Sequence, residues 1–295
     1  MGIPFQLQAQ QGLQQGRSIL TETKIMIKKE PSPSEPAGGQ LTKNTSNPLK
    51  PAMPAAAKVN AMVGNRMWFG GLFNGSGKRR QVNGDKNFEM TPIQEQRLQK
   101  LKDRLNIPYD ETRPDHLESL KTLWKVSFPD TKLTGLVSEQ WKDMGWQGSN
   151  PATDFRGSGF VSLENLLFFA RIYPASFQRL LLKSQGMRAT WEYPFAVAGV
   201  NISHMLIQLL ELNSARPKYL PGVNFIRMMS DEDEVFDILY CIAFEMMDAQ
   251  WLAMRASYMQ FNDVLEATRA QLERELSLED LHRIQDLPAY NLLFK

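Results

Sequence analysis

Between Val235 and Met254 the chain is apolar almost all round, and its only charges there are Asp237, Glu245 and Asp248. At about 100° per residue, Asp237 and Asp248 fall within about 20° of one another, and Glu245 lies about 60° to the side of Asp248. A helix with so narrow a charged seam cannot sit at a surface. Other elements have to enclose it on every remaining side, and the seam is expected to be its one wet edge. Asp231-Glu232-Asp233-Glu234 is expected to form an acidic first turn that complements the helix dipole. A chain carrying such a helix must supply several more to surround it.

The sequence supplies them. Thr91-Pro92-Ile93-Gln94 has the form of a capping box with proline at the first helical position, and Leu98, Leu101 and Leu105 then share one face. A second helix is predicted from Pro114, presenting Leu117, Leu120, Leu123 and Trp124 before Pro129 stops it. A short helix over Ser138–Met144 ends at Gly145, a glycine placed for the left-handed conformation. Further helices are predicted over 162–173, 176–183, 194–212 and 260–276, with 277–295 as a closing segment. No apolar-polar alternation of strand length and no repeat period interrupts them. The fold class is therefore all-α, a single multi-helix domain over 91–295.

Residues 1–90 read differently. They hold 7 of the 17 prolines and 11 of the 19 glycines, in Gln-rich, Pro/Ser-rich and then Gly-rich order. Such a segment buries too little apolar surface to offset its chain entropy, so a disordered tail is expected. Met62–Phe73 is an apolar island within it, and Lys78-Arg79-Arg80 a short basic run. The tail carries 12 Lys+Arg against 5 Asp+Glu, and residues 91–295 carry 22 against 27. A net −5 body argues against gripping nucleic acid by its phosphates. One cysteine, Cys241, excludes an internal disulfide framework and a cysteine zinc site, and three scattered histidines suggest no metal centre. No metal and no cofactor is expected. No stretch of signal-peptide or membrane-spanning character appears, so the expected setting is a reducing cytoplasm.

The usual enzyme signals are missing: no Gly-x-Ser-x-Gly elbow, no His-Glu-x-x-His, no phosphate-cradling Gly-Lys-Ser/Thr loop. Cys241 sits among Leu239, Tyr240, Ile242 and Phe244 as a packing residue, and His204 reads as a satisfied core histidine. Trp141 to Gly159 differs. It places four glycines, Pro151, two tryptophans and the lone Arg156 between apolar helices. Gly148, Gly157 and Gly159 are expected to permit turns that a β-carbon would resist. Thr153 and Asp154 are expected to bond local amides, with Gln147 and Asp154 orienting the loop and Trp146 and Phe155 anchoring it. Arg156 is left uncovered. On the residues alone it is either a brace paired with Asp154 or Asp143, or a functional cation.

The run Trp141…Gly145-Trp146-Gln147-Gly148…Pro151…Thr153-Asp154-Phe155-Arg156-Gly157…Gly159, followed by Leu163…Leu166, resembles the signature of the ELMO (engulfment and cell motility) domain. Tyr193-Pro194-Phe195-Ala196-Val197-Ala198-Gly199 with Asn201-Ile202, and Phe261-Asn262, resemble later blocks of it. The resemblance implies one of two roles. Stand-alone members resemble GTPase-activating proteins for Arf and Arf-like small GTPases, with the arginine of the Asp-Phe-Arg-Gly run as proposed catalytic residue. Larger scaffold members pair with Dock-type exchange factors for Rac, carry helical repeats before the domain and a pleckstrin-homology domain after it, and lack that arginine. Arg156, the absence of preceding repeats and the short following segment point to the first branch. The expected partner is then a GTP-bound Arf-family GTPase, through which the chain attaches peripherally to an organelle membrane. The protein would act in trans, with Arg156 as finger and no turnover site of its own. The alternative is a non-catalytic adaptor that binds a small GTPase or a Dock-type exchange factor and uses Arg156 for docking.

Overall fold

The computed structural model describes residues 88–183 and 193–294. The expected tail, with its island and basic run, lies outside them except at its end, where Phe88 and Met90 pack against the core. Packing therefore reaches back at least to Phe88. Eight α-helices form among the described residues: α1 Pro92–Leu105, α2 Pro114–Ser127, α3 Val161–Ile172, α4 Pro174–Leu182, α5 Phe195–Leu209, α6 Leu220–Met228, α7 Val235–Met254 and α8 Phe261–Leu276. Short 3₁₀ turns occupy Glu139–Met144, Pro151–Gly157, Tyr258–Gln260, Ile284–Asp286 and Pro288–Phe294. No strand forms among the described residues.

Local chemistry sets the ends of these helices. The Gln94 amide donates to Thr91 Oγ1, and the Thr91 amide donates back to Gln94 Oε1 at 2.9 Å, so the capping box closes. α2 stops at Phe128, whose backbone has left the helical region at φ −133° and ψ 71°, as the following Pro129 demands. α6 has no counterpart in the sequence reading, and its Pro221-Gly222 pair has the composition of a turn. Here the proline lies in the first helical turn, and Gly222 passes so close to the end of α5 that a β-carbon would meet the Leu210 carbonyl oxygen at 2.8 Å.

α7 is the hub. It packs against α3, α4, α5 and α8 and is closed off by the turn at Pro288–Phe294. Leu239, Tyr240, Cys241, Ile242, Ala243 and Phe244 are fully enclosed, and Phe244 stacks on Phe195 at 4.9 Å. Two expectations about α7 are corrected. The acidic run does not form its first turn: the helix begins at Val235, and Asp233 turns away to pair with Arg97 and Lys100 of α1. Nor is the seam wet. Asp237, Glu245 and Asp248 are all buried, each met by a group from elsewhere in the chain. Arg104 grips Asp237 bidentately at 3.0 and 2.8 Å, Arg179 places Nη2 2.7 Å from both Glu245 oxygens, and the Tyr193 hydroxyl donates to Asp248 at 2.8 Å.

Burial pushes the Glu245 carboxyl up, and the Arg179 bonds pull against that. Removing only the cation strands the carboxylate. Arg179→Met is expected to cost about 3 kcal/mol in denaturant unfolding, and the double change Arg179→Met/Glu245→Leu to recover most of it. Equal losses in the single and double variants would contradict this reading.

Candidate functional site

Residues 139–159 fold as two 3₁₀ turns, Glu139–Met144 and Pro151–Gly157, connected through residues 145–150. Ser138 caps the first turn by accepting from the Gln140 amide at 3.2 Å. Gly145 ends it at φ +89°, and its carbonyl accepts from the Val197 amide at the start of α5. Asn150 caps the second turn, with Oδ1 accepting from the Ala152 amide at 3.0 Å and Pro151 in the first position. Ser138 N–H donates to the Ser149 carbonyl at 2.8 Å, so the two turns are tied at their bases. Gly159 then reverses the chain at φ +67°, and the Phe160 amide bonds the Ile107 carbonyl at 2.9 Å.

The anchors lie where the sequence placed them. Trp146 and Phe155 are each 1% exposed and meet edge to face at 5.1 Å. Phe155 also stacks on Tyr109 at 4.5 Å, a residue of the α1–α2 connection that no local pattern indicated. Asp154 is buried and accepts from the Gln147 amide at 3.0 Å. The orienting group of Gln147 is therefore its backbone, and its side chain is exposed. Thr153 differs from expectation in partner: its hydroxyl donates to the Asn150 carbonyl at 2.9 Å rather than bonding an amide.

The glycines divide. The left-handed positions are Gly145 and Gly159, where a β-carbon would also meet backbone atoms at 2.4 and 2.7 Å. Gly148 and Gly157 are corrected. Gly148 has open space where a β-carbon would stand and lies outside the left-handed region, and Gly157 lies in the second 3₁₀ turn, also outside that region. Gly157 is exposed beside Arg156.

Arg156 itself is exposed. Among the described residues neither Asp154 nor Asp143 pairs with it: the Asp154 carboxylate faces the Gln147 amide and feels Arg156 only as a nearby charge. The brace is not what the geometry presents. One residue on each side of Arg156 is fixed instead, Phe155 in the core and Ser158 by a hydroxyl bond to the Val200 carbonyl at 3.3 Å. His204, read as a core histidine, is half-buried and bonds the Gly157 backbone, with Gln208 2.7 Å from its Nε2. Burial pushes its imidazole pKa down, and the Gly157 bond opposes that. Only the fold reveals this tie, since α5 and the turn are far apart in sequence. Among the described residues no group of three or more His, Cys, Asp or Glu is placed to hold a metal ion, and no helix is long and apolar enough to cross a membrane.

Burial carries the Asp154 carboxyl from its ordinary 3.8 to about 6, against the opposing pull of the Gln147 amide and the Arg156 charge. The fold therefore holds the proton more tightly than the unfolded chain does. This group's contribution is fully present below about pH 4 and is lost as pH rises to about 6, a change of about 3 kcal/mol. Asn at this position can still accept from Gln147. Asp154→Asn is expected to raise the melting temperature above pH 6 by several degrees and to leave it unchanged near pH 4. A uniform shift at all pH values would contradict the assignment.

Residues 99–265 match the family model described as ELMO/CED-12 family. ELMO domain-containing protein A of Dictyostelium discoideum is 30% identical over 194 residues, covering 60% of this chain and 20% of the relative. ELMO domain-containing protein 2 of Mus musculus is 33% identical over 159 residues, covering 52% of this chain and 51% of the relative. Engulfment and cell motility protein 3 of Bos taurus is 27% identical over 192 residues, covering 61% of this chain and 29% of the relative. The chain thus spans well under two thirds of the length of each of these relatives.

Proposed function

The chain belongs to the ELMO/CED-12 family, and from that premise we propose that it accelerates GTP hydrolysis on an Arf-class small GTPase by inserting Arg156 into the partner's nucleotide site. The observation that carries this reading is the state of Arg156: an exposed guanidinium with no ion pair among the described residues, on a turn whose neighbours Phe155 and Ser158 are buried. A turn held at both sides presents Arg156 from backbone that is already ordered, so binding has only that side chain to fix, which favours positioning its charge on a transition state.

The chemistry asks for that side chain. A GTPase that already holds its nucleotide and Mg²⁺ lacks one positive charge where negative charge develops between the β- and γ-phosphates. A planar guanidinium supplies the charge together with two aligned donors. Gly157 adds no side chain of its own next to Arg156, and it is exposed, so a partner loop can approach on that side. The site is completed by the partner and turns over nothing alone.

The test is GTP hydrolysis by a panel of Arf-family GTPases, each measured with and without this protein. Stimulation of at least one by about 10³-fold or more, roughly the range of fingers supplied in trans, is the expected result. Saturable binding to GTP-loaded partners without any stimulation across the panel would reject catalysis in favour of an adaptor.

A further inference from the structure

A second surface owes nothing to Arg156. The C-terminal half of α2 and the turn after it enclose a groove of about 530 Å³. Trp124, Phe128, Leu133 and Leu136 line its apolar part, and Lys121, Lys125 and Lys132 also line it, with Asp130 as the one acidic group there. The groove is built rather than incidental. The Trp124 indole donates to the Thr131 carbonyl at 2.8 Å, the Trp141 indole to the Leu136 carbonyl at 3.1 Å, and Gln140 Nε2 to the Lys132 carbonyl at 3.1 Å. These bonds hold the 131–136 backbone open beside the aromatic floor.

The charges say what the groove is shaped for. All three lysines are exposed, and Lys121 has only a loose 3.9 Å pairing with Glu118. Among the described residues no ion pair joins Lys125 or Lys132. Three cations thus surround an apolar slot on a body, residues 91–295, that is otherwise net acidic. A concave slot of this size takes one or two apolar side chains, whereas a bilayer is met by protruding groups. The chain's own residues 1–90, at net +7, carry the wrong sign.

We propose that this groove is a docking site for an acidic amphipathic peptide segment of a protein partner. An apolar side chain of that segment seats against Phe128, Leu133 and Leu136, over the buried Trp124, while its carboxylates meet Lys121, Lys125 and Lys132. The inference goes beyond the proposed function and involves no GTP hydrolysis, so each stands or falls without the other.

The probe is a labelled synthetic helix-forming peptide with Leu and Phe on one face and Glu on the other, titrated into the full chain and read by fluorescence anisotropy. Its charge-reversed counterpart, with Lys for Glu, and vesicles of phosphatidylserine in phosphatidylcholine are run beside it. The acidic peptide is expected to bind with Kd on the order of 10–100 µM, weakening as salt is raised, and the basic peptide not to bind. Lys125→Glu/Lys132→Glu should weaken the acidic peptide at least about tenfold at an unchanged melting temperature. Leu133→Ser should also weaken it, which a purely electrostatic attraction would not show. No binding, or binding indifferent to the lysine reversals, overturns the proposal. So does lysine-dependent capture by vesicles without peptide binding, which would assign the surface to a membrane. Displacement of the probe by a synthetic peptide of residues 62–73 would assign the groove to the chain itself and equally overturn it.

Discussion

Arg156→Ala is expected to lower the saturating rate of stimulated GTP hydrolysis at least about 100-fold, with little change in affinity for the GTP-bound partner. The melting temperature should not move, because the side chain is exposed and no ion pair among the described residues depends on it. Arg156→Lys should be nearly as poor as alanine. An ammonium keeps the charge and loses the fork that spans two phosphate oxygens. A docking arginine behaves otherwise: lysine partly rescues it, and the loss falls on affinity at an unchanged saturating rate. Full activity in Arg156→Ala would falsify the finger. The three readouts together, saturating rate, affinity and melting, separate catalysis from docking and both from bracing.

The sequence was most informative where the physics is local. The Thr91/Gln94 box, the stop before Pro129 and the left-handed Gly145 each depend on residues a few positions apart, and each formed as read. The centrality of α7 was also legible, since a helix apolar on nearly all sides has one way to satisfy itself. The partners of its seam were not. Arg104 lies 133 residues from Asp237 and Arg179 lies 66 from Glu245, and nothing in either neighbourhood announces the pairing. Three acidic groups on an apolar helix therefore read as an edge open to water, where the fold delivers an arginine, an arginine and a tyrosine. α6 was not legible for a related reason: Pro221-Gly222 has the composition of a turn, and it is the approach of the Pro217 ring and the Leu210 carbonyl that explains a glycine inside a helix there.

The same divide runs through the site. Its anchors, Trp146 and Phe155, and its exposed Arg156 followed from residue type and surroundings. Gly145 was legible as the glycine that ends a helical turn, but which of the others matter was not. Gly159 shows why: its φ is positive and a β-carbon there would meet the Ile107 carbonyl oxygen at 2.7 Å, an approach that only the tertiary fold creates. The Tyr109 stack and the His204 tie to Gly157 are likewise set by α1–α2 and α5 closing on the turn.

Gly145→Ala carries the largest expected loss of stability. The residue sits at φ +89°, where an L side chain is strained by about 1 kcal/mol, and that is the smaller part. A β-carbon there would stand 2.4 Å from the Phe195 amide nitrogen and 2.8 and 2.9 Å from the Pro194 carbonyl carbon and α-carbon. These are backbone atoms at the head of α5, and Phe195 is itself locked in the core against Phe177 and Phe244. No rotamer change relieves the overlap, so α5 has to move and the Val197–Gly145 hydrogen bond is lost with it. The expected cost is at least about 4 kcal/mol, or a fall in melting temperature of roughly 10 °C or more for a body of this size. Gly148→Ala is the control, because its β-carbon meets nothing and the change should stay within about 0.5 kcal/mol. Since Gly145 ties the first turn to the head of α5, against which the turn carrying Arg156 also packs, its variant should also lose GTPase stimulation at any temperature where the domain has loosened, and regain it on cooling. A Gly145→Ala protein that melts with the parent would mean that the junction of the turns and α5 is not packed as described.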